Sequence, residues 1–198
     1  MHKNLQSLRI LFLFSMEILT PHESGNRVET ITVRERRDTL LRTFSLLKGL
    51  PVYELASGQK LGEVCDVSIS GNGSVVGLLV KKGAFIKKTF QVKVDQVSSF
   101  GEDGVMVKDK SALERLETEP EYTFEHNESL AGKKLLSKEG EQLGLLEDVY
   151  FMEELGKIVG YELTDGFFSD IANGKRVIKT TGPPAIGKDA IVVTVKSR

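Results

Sequence analysis

Few residues of this 198-residue chain have the types and spacing that chemistry needs, and two aspartates come first among them. Asp66 and Asp148 occupy the same place in two ten-residue stretches, GQKLGEVCDV (58–67) and GEQLGLLEDV (140–149), which share five letters in register. Paired carboxylates can divide acid and base work between them. One carboxylate in each copy of a repeat is not such a pair, however. Strands disfavour aspartate, so its duplication predicts a fixed hydrogen bond from each carboxylate to loop backbone. The structural role is preferred to a catalytic one. Asp103 and Asp189 fall in hairpin turns, and turn chemistry accounts for them.

The remaining candidates are weaker. His2 and His22 lie in the N-terminal tail, and His126 stands alone in sequence, far from the single cysteine, so no zinc spacing exists. Cys65 falls on the apolar face of its strand and reads as a buried structural thiol rather than a reactive one. A single cysteine also excludes an intramolecular disulfide framework. The stretch GNGSVVG (71–77) lacks the Lys-Ser/Thr and following helix of a phosphate loop, and no nucleophile elbow is present. No catalytic residue, metal or cofactor is expected, and the chain does not read as an enzyme.

The elements that position these residues come in two copies. Gly49 matches Gly132 at an offset of 83, and Val76-Gly77, Gly83 and Phe85 match Val159-Gly160, Gly166 and Phe168 at the same offset. GEDGVMV (101–107) then matches GKDAIVV (187–193) at 86, a drift that small loop insertions produce. A period above 80 is too long for a solenoid and suits two small tandem domains. Gly62, Asp66 and Gly77 of the first copy, with Gly144, Asp148 and Gly160 of the second, are the structural repeat positions.

Within each copy the period is that of a strand. Leu61, Cys65, Val67 and Ile69 alternate, as do Phe90, Val92 and Val94, and turn signals arrive every 8 to 12 residues. That spacing predicts a small barrel. One short helix is expected over 111–118, where Ser111 could cap and Glu114 stands three residues on. The fold class is all-β: two tandem small barrels with a short helix after the first.

The run GLPVYE, LGEVCDV, VVGLLV and FGEDGVMV, repeated as LAGKKLLSKEGEQLGLLEDV and IVGYELTDGFF, resembles the PRC-barrel domain over about 43–196. The tandem arrangement is similar to uncharacterised bacterial proteins carrying two such barrels. The resemblance implies an adaptor barrel with no catalytic motif. Relatives include the C-terminal domain of the ribosome maturation factor that acts on the small subunit, and the cytoplasmic domain of the photosynthetic reaction-centre H subunit.

Hydrophobic content of 40%, 28% charged residues and a net charge of −1 fit neither a membrane protein nor a disordered one, and a cytoplasmic, bacterial protein is expected. Residues 1–42 read as an extension, poorly ordered or placed ahead of a true start near Leu40 or Leu41. Its apolar run, residues 10–14, is cut short by Glu17 and cannot span a bilayer. The first barrel is expected at 43–118 and the second at 129–198. The four glutamates of 119–128 mark an acidic linker, although Tyr122 and Phe124 could pack on a barrel.

The copies differ most in one hairpin. The first has KKGAFIKK, with Lys81, Lys82, Lys87 and Lys88 around Phe85; the second has TDGFFSDI, with Phe167 and Phe168 between aspartates. Lysines there can hold an anionic partner or simply guard an edge strand. These residues form the candidate partner surface. The expected function is a non-enzymatic adaptor or scaffold for another macromolecule, in the first place a protein, with homo-oligomers possible. The alternative is an RNA-processing or ribosome-associated factor. DNA binding and an integral membrane segment are not expected.

Overall fold

The computed structural model describes residues 41–83, 88–164 and 176–195. Strand β1 (Leu41–Thr43) and the one-turn helix α1 (Phe44–Leu47) lead into six strands. These are β2 (Pro51–Glu54), β3 (Lys60–Ser70), β4 (Ser74–Lys82), β5 (Lys88–Lys93), β6 (Val97–Phe100) and β7 (Val105–Val107). Two short strands follow, β8 (Glu114–Arg115) and β9 (Tyr122–Thr123). Six more complete the described fold: β10 (Lys134–Ser137), β11 (Gln142–Met152), β12 (Ile158–Thr164), β13 (Arg176–Lys179), β14 (Ala185–Ile186) and β15 (Ala190–Val193).

The two sheets repeat one topology. The first runs β6-β7-β2-β3-β4-β5-β8 and the second β13-β12-β11-β10-β15-β14, so β2 to β7 correspond in order to β10 to β15. Irregularities repeat as well. Both long hairpins carry a bulge just before the aspartate, between Val64 and Asp66 and between Leu146 and Asp148. A bulge adds a residue to one strand and turns the side chains after it. It therefore corrects the placement of Cys65: Val64 enters the core, and Cys65 is the extra, half-buried residue rather than a member of the apolar face. Gly62 has no room for a side chain, since a Cβ there would lie 2.7 Å from the Lys81 carbonyl oxygen.

Each sheet is curled toward a barrel, the first left open between β5 and β6, and in the second a Thr180–Val195 bridge joins the end of β13 to the segment after β15. A 3-10 turn, Val94–Gln96, joins β5 to β6 at the open side, and among the described residues no ladder links those two strands. Val94, 8% exposed, fills the corner with side chain instead of backbone pairing. The expected helix over 111–118 is a single 3-10 turn, Lys110–Ala112. Asp109, not Ser111, caps it by accepting the Ser111 N–H at 2.8 Å. The chain is extended again at β8, where pairing with β5 and the Glu114–Lys93 ion pair outcompete a helical turn.

The structure bears out two tandem barrels but ties them together through the short strands. β1, which precedes the first barrel, pairs antiparallel with β11 of the second. β9, inside the stretch expected to be a linker, pairs antiparallel with β3 of the first. The repeats exchange their leading arms. Phe44 and Phe124, one from each arm, meet with ring centroids 4.8 Å apart, and buried apolar residues of both repeats form one cluster. The tips of the two long hairpins also join, Val75 N–H donating to the Gly156 carbonyl at 2.8 Å and Ile158 N–H to that of Gly73 at 3.3 Å.

Gly156 makes this junction possible. Its φ is +63°, and a Cβ there would fall 1.9 Å from the Val75 carbonyl oxygen. Gly156→Ala is expected to cost about 2–4 kcal/mol, combining left-handed strain with a forced separation of the hairpins. Denaturant unfolding measures it; a loss below about 0.5 kcal/mol would show that the tips do not need each other.

Candidate functional site

The arms converge on the two duplicated aspartates. Asp66, 1% exposed, accepts from the N–H groups of Phe124 (3.0 Å) and Glu125 (3.1 and 3.2 Å), and from His126 N–H at 3.0 Å. It also takes its neighbour Val67 N–H at 2.8 Å. Asp148, 4% exposed, accepts from Phe44 N–H (3.0 Å), Ser45 N–H (3.2 Å) and Val149 N–H (2.7 Å). The sequence reading of fixed hydrogen bonds to loop backbone describes both groups, but the loop in each case belongs to the other repeat. Burial pushes the Asp148 carboxyl up from its ordinary range, against the pull of its Ser45 and Val149 donors. A carboxylate whose lone pairs are occupied by backbone donors is a clamp, not a base.

His126 is the functional candidate that sequence reasoning missed. Its Nδ1 lies 2.5 Å from Asp66 Oδ2, although 60 residues separate the two. The buried carboxylate thus fixes the ring while half of the side chain stays exposed, 51% of it. No spacing could announce this contact, and the first repeat's arm, which docks on Asp148, has Leu46 in the matching place. Beside the pair lies a cleft of about 420 Å3, lined by Cys65, Leu79, Lys81, Thr89, Leu116 and His126 among others. Burial raises the Cys65 thiol, with nearby Lys81 opposing, so the thiol stays protonated and is a poor nucleophile at neutral pH.

The candidate partner surface is only partly in view. Lys81, Lys82 and Lys88 sit where β4 ends and β5 begins; Lys82 and Lys88 are exposed and stand directly opposite each other in the ladder. Phe85, Lys87, Phe167 and Phe168 lie outside the described residues. Gly77 pairs with Lys93 and Gly160 with Lys179, which keeps these two repeat glycines in matching register. Among the described residues no group of three or more His, Cys, Asp or Glu is placed to hold a metal ion.

Two curled sheets of one topology, locked by exchanged arms onto duplicated aspartates, define an internally duplicated β-barrel protein whose duplicated polar groups serve the junction. The PRC-barrel domain matches this chain twice, over residues 42–114 and 123–198, and the chain belongs to that family. It is similar to the uncharacterized protein YrrD of Bacillus subtilis (strain 168), with 35% identity over 158 residues, spanning 79% of this chain and 89% of that protein.

Proposed function

We propose that the chain is a non-enzymatic, cytoplasmic adaptor whose barrels bind the acidic surface of another protein. The observation that carries this reading is the Lys82–Lys88 pair. Like charges directly opposite on a ladder repel and cost stability. Lys81 beside them faces Glu63, which is itself paired with Lys60 at 2.5 Å. An anionic partner would relieve this repulsion. Membership of a family of barrel domains used in protein interaction supports the same reading. Among the described residues no helix is long and apolar enough to cross a membrane.

The second reading, an RNA- or ribosome-associated factor, draws on the same lysines, since phosphates satisfy them as well as carboxylates do. Lys82→Glu separates function from stability. It sets opposite charges across the ladder, so the melting temperature should hold or rise slightly while partner capture falls. Capture from native lysate that survives nuclease supports a protein; capture that nuclease abolishes supports RNA. A variant that retains every partner would overturn the surface.

A further inference from the structure

Asp66 does more than its clamp requires. The backbone N–H groups of Val67, Phe124, Glu125 and His126 already occupy its carboxylate. The other arm docks on Asp148 with Leu46 in the matching place, so arm docking does not need a ring against the carboxylate. What the contact from His126 Nδ1 to Asp66 Oδ2, 2.5 Å, achieves is to fix the imidazole, leaving Nε2 as the ring nitrogen that a ligand can meet.

The ring stands at the cleft of about 420 Å3 that the outer wall of β3, β4 and β5 forms with the connector after β8 and the β9 arm. Leu78 and Val80 turn into the core, which leaves Leu79 and Lys81 on that outer wall. The floor is apolar: Leu79 is only 6% exposed there, and Cys65 and Leu116 beside it are half-buried. Lys81 lies near enough to act on the Cys65 thiol and brings an ammonium group to the same cleft. A largely apolar cavity of this size with a few placed polar groups suits a small organic molecule. The second repeat carries none of this set. By the shared registers Glu147, Glu162 and Thr164 stand in the places of Cys65, Leu79 and Lys81, and Glu162 receives the Tyr150 hydroxyl at 2.8 Å. Both repeats keep the aspartate and the topology, so the fold does not dictate the residues that face the first cleft. Two exposed glutamates of the connector, Glu117 and Glu119, also line it. They oppose multiply charged anions and leave a single negative head, between His126 and Lys81, as the charge that fits.

We propose that this cleft binds a small monocarboxylate with a compact apolar body. Lys81 Nζ and His126 Nε2 would hold the carboxylate, and Leu79, Cys65 and Leu116 would cover the body. The site goes beyond the adaptor reading and needs neither Lys82 nor Lys88.

The probes are sodium benzoate, its uncharged counterpart benzamide and inorganic phosphate, each titrated into the full-length protein by calorimetry. The expected result is saturable binding of benzoate, tighter than either of the others by about tenfold or more. Amide shifts should gather at Leu79, Thr89, Leu116 and Asn127 and be absent from the Phe44–Leu47 arm. His126→Leu and Lys81→Thr install the residues of the other repeat, and each should weaken benzoate about tenfold with little change in melting temperature. Leu46 and Thr164 already serve those places, so both variants should fold; should His126→Leu fail to, Lys81→Thr decides alone. No saturable binding of benzoate, equal binding of benzoate and benzamide, binding that both substitutions leave unchanged, or shifts centred elsewhere would overturn the proposal. Absence of benzoate binding with partner capture still sensitive to Lys82→Glu would leave the adaptor reading standing, and the converse would leave this one.

Discussion

A chain shortened to begin at Gly49 should lose the cooperative unfolding of its second barrel, although every residue of that barrel is retained. The deletion removes β1, three residues that pair with Met152, Phe151 and Tyr150 of β11. It takes out Phe44 and Leu47, 2% and 1% exposed, each worth about 1.5–3 kcal/mol of burial. It also strips Asp148 of the Phe44 and Ser45 donors and Glu153 of its partner Arg42, leaving two carboxylates already pushed up by burial. Together these losses rival the whole stability of a domain, about 5–15 kcal/mol. A chain that begins at Leu41 is the control and should melt as the full-length protein does. Calorimetry decides between them: equal transitions for the two truncations would show that the arm does not hold the barrel.

Asp66→Ala should destabilise by about 3–5 kcal/mol, because the Phe124 and Glu125 N–H groups of the β9 arm lose their acceptor at once inside the protein and His126 N–H keeps only Thr123 Oγ1. Asp66→Asn should recover little, since its amide NH2 would face donors from Glu125 and His126. The exposed turn residue Asp103 provides the contrast, and its alanine variant should stay within about 0.5 kcal/mol of the parent. Chemical denaturation gives the magnitudes, and hydrogen exchange at Phe124, Glu125 and His126 gives the location. A loss of less than about 1 kcal/mol for Asp66→Ala would mean that the arm is held by apolar packing alone.

The duplication, the strand-rich class and the backbone-binding role of Asp66 and Asp148 were legible because both copies retain what their shared topology requires. What escaped was non-local. Three-residue β1 and two-residue β9 are too short to show a period, and nothing in composition says that a leading arm serves the other barrel. One signal was present: Thr43-Phe44 and Thr123-Phe124 stand ahead of each copy, a repeat within stretches read as boundary and linker. Cys65 was misplaced because alternation assumes an unbroken ladder, and the bulge breaks it. The helix over 111–118 was overextended because local capping signals compete with a strand edge that lies elsewhere in the chain. His126 read as solitary for the same reason.

The exchange of arms bears on how the protein is made. The Phe124–Asp66 contact closes 58 residues of chain and the Phe44–Asp148 contact closes 104. During synthesis from the N-terminus, the first barrel therefore emerges with its aspartate pocket empty and must wait for the β9 arm. Its own arm waits longer still, until β11 has left the ribosome. Such separations slow folding, since loop closure precedes the contacts that reward it. Neither half can be finished before the other begins, so the nascent chain holds an exposed, arm-hungry barrel for much of its translation.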